Sequence, residues 1–351
     1  MRYPCLSFSE MAASKLAGGH TAPVLCVDVD KSSGMVASGS ENGDLCLWSS
    51  AGALISKYSR PDTDCTSVLF SKEKPNTLYA AFSSEVLILD ARQPQDPVHV
   101  FQSNQDEVNQ VVLDDKEQFL AACDDSGEIK VFGLSDRKVF KTLRFKHTNI
   151  CSTVLFRSQR PWEVLSGGMD CRLIHWDFSK PKCLNQFNMQ ELHSTSNDAS
   201  AYMINPPFIH HLAKNSNGSV TTCALENGLV AVFDSTAKHL QEKFCLHAHQ
   251  QGVSQLHFTT DDTLVSGGND AQIVVWDLSK AKQYQEHEDV VANGDCTPED
   301  RRNDGITELC KVNTIIHPLK VNWLAPFLRG EQWQVVVADA TSDLTIYPVL
   351  S

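Results

Sequence analysis

Short runs in which apolar residues alternate with polar ones recur along the whole chain, and each ends on an aromatic or large aliphatic residue. They are GDLCLW ending at Trp48, EVLIL at Leu89, GEIKVF at Phe132, RLIHW at Trp176, LVAVF at Phe233, QIVVW at Trp276 and DLTIY at Tyr347. The end positions are 41, 43, 44, 57, 43 and 71 residues apart, so four of the six intervals fall between 41 and 44. A fixed period of that length marks a repeat architecture. Tight turns precede these runs, written as ENG (41–43), DSG (125–127) and ENG (226–228), or as an Asp in SGGMD and SGGND. Asn, Asp and Gly tolerate the positive φ of a strand reversal. Further alternating runs lie ahead of the turns, among them TSVLF (66–70), STVLF (152–156) and SQLHF (254–258), with EVLSG or TLVSG between. Period-2 runs of this length separated by turn chemistry predict antiparallel strands. A 3.6-residue period is almost absent, so the expected class is all-β.

One pair of stretches poses a sharper question. VLSGGMDCRLIHWD (164–177) and LVSGGNDAQIVVWD (264–277) share six of fourteen positions, namely Ser, Gly, Gly, Asp, Trp and Asp. They are two parts of one active site or one building block used twice. A His also recurs before the terminal aromatic: His20 precedes Trp48 by 28, His147 precedes Trp176 by 29, His249 precedes Trp276 by 27 and His317 precedes Tyr347 by 30. His210 precedes Phe233 by only 23, which predicts a shortened turn or strand in that unit.

These features together resemble the WD-repeat family, with Gly-His near the start and Trp-Asp at the end of each unit. The literal signature stands as GGH (18–20) and as WD at 176–177 and 276–277. Elsewhere the dipeptide is degraded to W-S, L-D, F-G, F-D and Y-P, so the period carries as much of the resemblance as the motif does. It implies a seven-bladed β-propeller of four strands per blade, a ring in which stacked blades bury one another's faces. The last terminal strand ends four residues from Ser351, so a strand near Met11 to Ala17 is expected to close the ring. Residues 1–10 then form a lead-in, and 11–351 one propeller. Two insertions break the period, 186–207 and 279–311. The second is polar, acid-rich and poor in large hydrophobes, which predicts disorder.

Charge and composition narrow the function. At a net charge of −13 the 351-residue chain is not built for nonspecific attraction to nucleic acid or anionic membrane. Twelve cysteines suggest a disulfide or zinc framework until their spacing is read. No C-x-x-C occurs, and many sit in apolar runs such as PVLCVDV and LCLW, where a thiol acts as a small hydrophobe. Free thiols in this number point to a reducing compartment. Without an apolar segment at MRYPCLSFSEM or any run of 18 apolar residues, the expectation is a cytoplasmic or nuclear protein.

The resemblance also assigns the repeated pair. By it, His147, Ser166, Asp170 and Trp176 form one structural hydrogen-bond tetrad, and His249, Ser266, Asp270 and Trp276 form another. Buried carboxylate, imidazole and indole N–H groups each need a partner. A Ser-His-Asp hydrolase triad is the competing reading, but a catalytic constellation occurs once and this one recurs with the repeat. His247 and His249 (HAH) could touch a metal, yet no third ligand cluster is near in sequence. Since G-x-x-x-x-G-K-[ST], H-E-x-x-H and G-x-S-x-G are all missing, we expect no catalytic residues, no cofactor and no metal. The informative functional stretch is YAAFSSEVLILDAR (79–92). Its Leu-Asp-x-Arg ending resembles the Trp-Asp-x-Arg box of WD proteins that dock on the cullin-4 ubiquitin ligase adaptor, damage-specific DNA-binding protein 1. That resemblance gives Arg92 the docking role, with Asp90 beside it, and departs from the box at Leu89. The intact repeats read Trp-Asp-Phe-Ser-Lys and Trp-Asp-Leu-Ser-Lys, leaving Lys180 and Lys280 displaced by one position. The expected function is a non-enzymatic interaction scaffold, a substrate receptor of that ligase. An adaptor-independent scaffold or peptide reader using the channel mouth is the alternative.

Overall fold

The computed structural model describes residues 13–192, 205–281 and 298–349. Seven four-stranded antiparallel sheets make up the ring, each in the strand order first to fourth from the channel outward. Six blades are continuous in sequence. The seventh takes Val321–Arg329, Gln332–Asp339 and Leu344–Pro348 and completes itself with the N-terminal strand β1, Ser14–Leu16. Ser14 pairs with Ile346 and Leu16 with Leu344, so the ring closes by joining its two ends as the sequence predicts.

Burial explains why each strand is written as it is. The innermost strands, such as VLCVDV, CTSVLF and CSTVLF, alternate with the pattern of one face on the channel. Second and third strands are buried on both faces, because a neighbouring blade covers each side; in DLCLW all five residues are buried. Outer strands such as LISKYS and KVFKTL meet solvent.

A β-bulge stands at the second residue of the innermost strand in all seven blades, for example between Val24 and Cys26 and between Cys151 and Thr153. Bulges sharpen the local twist and re-aim a side chain. Here the re-aimed residues stitch blade to blade. Thr66 Oγ1 donates to Val108 O at 2.5 Å, Asn109 Nδ2 to Cys151 O at 3.2 Å, and Ser152 Oγ to Ile209 O. Asn322 Nδ2 donates to Val24 O at 3.1 Å across the closure. His210 is the bulged residue of its blade, inside the strand Ile209–Lys214, and its imidazole meets Glu226. The short spacing to Phe233 therefore reflects a different position, not a shortened turn.

The insertions also differ from expectation. The chain of 186–207 continues as strand to Asn188 and makes a short helix, α1, Met189–Leu192, and 193–204 lie outside the described residues. Of 279–311, residues 282–297 lie outside them as well, but α2, Pro298–Cys310, is a helix where disorder was expected. The insertion falls inside the sixth blade, between its third and fourth strands. Asn303, Ile306, Thr307 and Cys310 recur at helical spacing, and Ile306 and Cys310 are fully buried in the core between blades. The helix covers the outer strand of blade five, Gln241–His247: the Cys245 amide donates to Asn303 Oδ1 at 3.2 Å and the His247 amide to Thr307 Oγ1 at 3.0 Å. Composition hid this helix, because half of its buried stripe is polar. The expected lead-in at 1–10 lies outside the described residues.

Candidate functional site

The structure brings together both predicted tetrads. His147 Nε2 lies 2.8 Å from Ser166 Oγ, which accepts from Trp176 Nε1 at 2.8 Å, and His147 Nδ1 is 3.0 Å from Asp170 Oδ1. His249, Ser266, Asp270 and Trp276 repeat this with 2.8, 2.9 and 2.9 Å. Burial alone would raise the pKa of Asp170; the His147 bond and the amides of Thr148 and Arg172 outweigh it and hold the carboxyl below its ordinary range. Asp270 is lowered in the same way, by His249, Gln250 and Gln272.

Connectivity Ser–His–Asp matches a hydrolase triad, but access does not. Ser166 and Ser266 have no exposed surface, and an indole N–H occupies the face of each oxygen that a substrate carbonyl would need. The serine follows the indole. Where the third strand carries Trp48, Trp176 or Trp276, the second-strand residue opposite the position two before it is Ser38, Ser166 or Ser266; where it carries Leu89, Phe132, Phe233 or Tyr347, that residue is Ala80, Ala122, Cys223 or Val337. A hydroxyl appears only where an indole needs an acceptor.

Three variants of the network carry no motif, although His20 and His317 stand out by spacing. In blade one, His20 bridges Ser38 (2.7 Å) and Ser40 (3.0 Å), and Ser40 Oγ donates to Asn42 Oδ1, which holds the place of the Asp. Burial pushes His20 down to about 4. In blade seven, His317 meets Asp339 at 2.8 Å and the Tyr347 hydroxyl at 2.9 Å, so a phenol replaces the Ser–Trp pair. In blade three Asn104 replaces the His and donates to Asp124 at 3.0 Å.

Asp90 and Arg92 lie on the face formed by the turns that leave each third strand. Asp90 ends the strand Glu85–Asp90, and Arg92 forks onto it: Nε to Oδ1 at 2.9 Å and Nη2 to Oδ2 at 2.5 Å, with the guanidinium side chain 69% exposed. The Arg92 hydrogen bonds hold the Asp90 carboxyl down at about 2. In other blades a hydroxyl fills this place. Ser179 Oγ donates to Asp177 at 2.6 Å, Ser279 Oγ to Asp277 at 2.5 Å and Thr236 Oγ1 to Asp234 at 2.6 Å. Blade two thus keeps the turn of its neighbours but presents a charged fork.

The channel opens on the same face. Its cavity of about 280 Å³ is lined by innermost strands and by Asp28, Lys31, Lys72, Lys214, His211 and His257 among others. Burial is the main force raising Asp28, whose carboxyl stands at about 6 against the bond it accepts from the Phe70 amide at 2.7 Å. Lys31 is lowered by burial and by repulsion from Lys72, and Lys214 pairs with Asp115 at 2.7 Å. Among the described residues, no three His, Cys, Asp or Glu side chains are grouped to hold a metal ion, and no helix is long and apolar enough to cross a membrane.

Comparison with known proteins agrees with this geometry. The family described as WD domain, G-beta repeat (WD40) matches residues 14–49, 95–132 and 240–277. A WD repeat-containing protein 53 homolog of Dictyostelium discoideum is 26% identical over 358 residues, spanning 94% of this chain and 93% of that protein. Protein transport protein SEC31 of Kluyveromyces lactis is 31% identical over 119 residues, 33% of this chain and 9% of that one. Among solved structures, the WD40 β-propeller domain of Doa1 superposes with a TM-score of 0.69 at 16% identity, covering 95% of each chain, a likeness of fold. Repeats, blades and tetrads converge: the chain is a seven-bladed β-propeller that matches the WD40 repeat family over three segments and resembles, along nearly its whole length, a WD repeat-containing protein 53 homolog.

Proposed function

We propose that this propeller is a substrate receptor that docks on the cullin-4 ligase adaptor, damage-specific DNA-binding protein 1, through Arg92. The fold is that of a protein-interaction scaffold; the adaptor is our reading. Its carrying observation is the Leu89-Asp90-Ala91-Arg92 turn, which sets an exposed guanidinium where other blades set Ser179, Ser279 and Thr236. The fork on Asp90 is a solvent-screened surface pair, so an acidic or carbonyl-lined pocket can take the guanidinium over at small cost. The buried tetrads leave their own Ser-His-Asp groups without access, which supports a non-catalytic role. Buried thiols such as Cys26, Cys65, Cys151 and Cys223, not joined in disulfides, support a reducing compartment, cytoplasmic or nuclear.

A second reading, a peptide reader independent of the ligase, is favoured by the channel mouth with Lys31, Lys72 and Lys214. Titrating labelled adaptor with wild type and Arg92→Glu separates the two. Docking through Arg92 predicts that the variant folds alike and loses at least about 30-fold in affinity, the scale of an interface hot spot. Equal affinity removes Arg92 from the site. Absence of binding by wild type leaves the peptide reader.

A further inference from the structure

The outer edge of blade three departs from the acidic character of the whole. Residues 137–146, RKVFKTLRFK, hold Arg137, Lys138, Lys141, Arg144 and Lys146, five of the chain's 30 Lys and Arg in a chain of net charge −13. Among the described residues no carboxylate is ion-paired with any of the five. Between them Val139 and Phe140 are each 40% exposed and Phe145 is 84% exposed. Phe145 also sits at φ 64, a left-handed conformation that a bulky residue rarely adopts. Lys141 Nζ lies 5.3 Å from the Phe140 ring centroid and the Arg144 guanidinium 4.8 Å from that of Phe145. Lysines on an edge strand commonly guard against aggregation, and Phe140 stacks on Trp162 with ring centroids 6.0 Å apart, which explains the charges and that ring but not the exposure of Phe145.

The strand itself, Lys138–Leu143, is the last of its sheet and has no strand outside it among the described residues. Blade five shows what such an edge accepts, because α2 covers it there. Its register has Cys245 opposite Ala231 and His247 opposite Leu229, two and four residues before Phe233. In blade three Thr142 stands opposite Lys130, two residues before Phe132, and Arg144 follows at the next outward position. The amides of Thr142 and Arg144 thus correspond to the two that α2 caps with Asn303 and Thr307.

We propose that this edge is a docking strand for an acidic, extended segment of a protein partner. The segment adds antiparallel to Lys138–Leu143 through the outward amides, and alternate carboxylates meet the unpaired cations while apolar side chains cover Phe140 and Phe145. Cations with exposed rings also suit single-stranded nucleic acid, but the open strand favours peptide, whose main chain can pair with its outward amides. The site is independent of Arg92.

The test uses the full chain and a fluorescein-labelled peptide of alternating Glu and Val, followed by anisotropy and by amide hydrogen exchange. Binding is expected, with slowed exchange at Thr142 and Arg144. Affinity should fall about tenfold in Lys138→Glu/Arg144→Glu, the scale of two lost surface pairs, and should fall in Phe145→Ser. Both variants change exposed side chains and should melt with wild type. No binding, or binding without protection at those amides, overturns the proposal. So does stronger binding of an oligothymidylate at the same residues, which would make the edge a nucleic-acid site.

Discussion

Ser166→Ala removes one buried oxygen and leaves two buried polar groups without a partner: the Trp176 indole N–H at 2.8 Å and His147 Nε2 at 2.8 Å. Neither reaches water, since Ser166 has no exposed surface and Trp176 is 1% exposed. Each stranded group costs about 1–3 kcal/mol, so the substitution should destabilise by roughly 2–6 kcal/mol, far more than the loss of one small side chain. Urea unfolding followed by tryptophan fluorescence reads this directly. Trp176→Phe in the same assay separates the indole's share, and in that background Ser166→Ala should cost about 1 kcal/mol less, because one stranded donor is already gone. Ser266→Ala should behave like Ser166→Ala, since its distances agree within 0.1 Å. A loss below about 0.5 kcal/mol for either serine, the size of an ordinary surface change, would refute the claim that the hydroxyl is there for the indole and imidazole.

Three further predictions follow from buried charge. Arg157, 5% exposed, donates to Glu163 and to the carbonyls of Ser235, Ala237 and Lys238 in the next blade, so Arg157→Ala should cost about 3–5 kcal/mol in the same unfolding assay, while Arg160→Ala, which removes a half-buried side chain with one 3.2 Å bond to the Thr236 carbonyl, should cost less. His20 and His257 are both held at about 4 by burial, so their contribution is complete above pH 6.5 and is lost as pH falls toward 4; stability measured from pH 7.5 down to 4 should drop in that window. Asp28 has the opposite sign. With its pKa raised to about 6, ionisation penalises the fold as pH rises from about 4 to 6, so Asp28→Asn should stabilise by about 1–3 kcal/mol at pH 7.5 and change little near pH 4; equal effects at both would contradict the assignment.

The repeat was legible because burial imposes it: a strand between two blades must be apolar on both faces and end at a fixed depth, so the terminal residues from Trp48 to Tyr347 keep their spacing. Tetrads could be read where Ser, Asp and Trp are all spelled out, as at 166–176 and 266–276. They could not be read where chemistry was exchanged, as with Asn42 for Asp, Asn104 for His or Tyr347 for Trp, since different side chains satisfy the same hydrogen bonds. The seven bulges leave no composition signal; Thr66, Asn109, Ser152 and Asn322 share only the ability to donate to a neighbouring carbonyl. Helix α2 was invisible for a related reason, because Asn303 and Thr307 serve the edge of blade five as polar caps. Arg92 could be located from LDAR, but its fork on Asp90 emerged only from the geometry of the turn. The basic edge at 137–146 was masked by an overall charge of −13.

The most direct test of the docking account is amide hydrogen exchange of the wild-type chain with and without purified adaptor. The account predicts protection concentrated at the turn after Asp90, residues 91–98, and its neighbours on the same face, and loss of that protection in Arg92→Glu. Protection confined to the opposite face of the ring, or no change at 91–98 while the adaptor is bound, would contradict it.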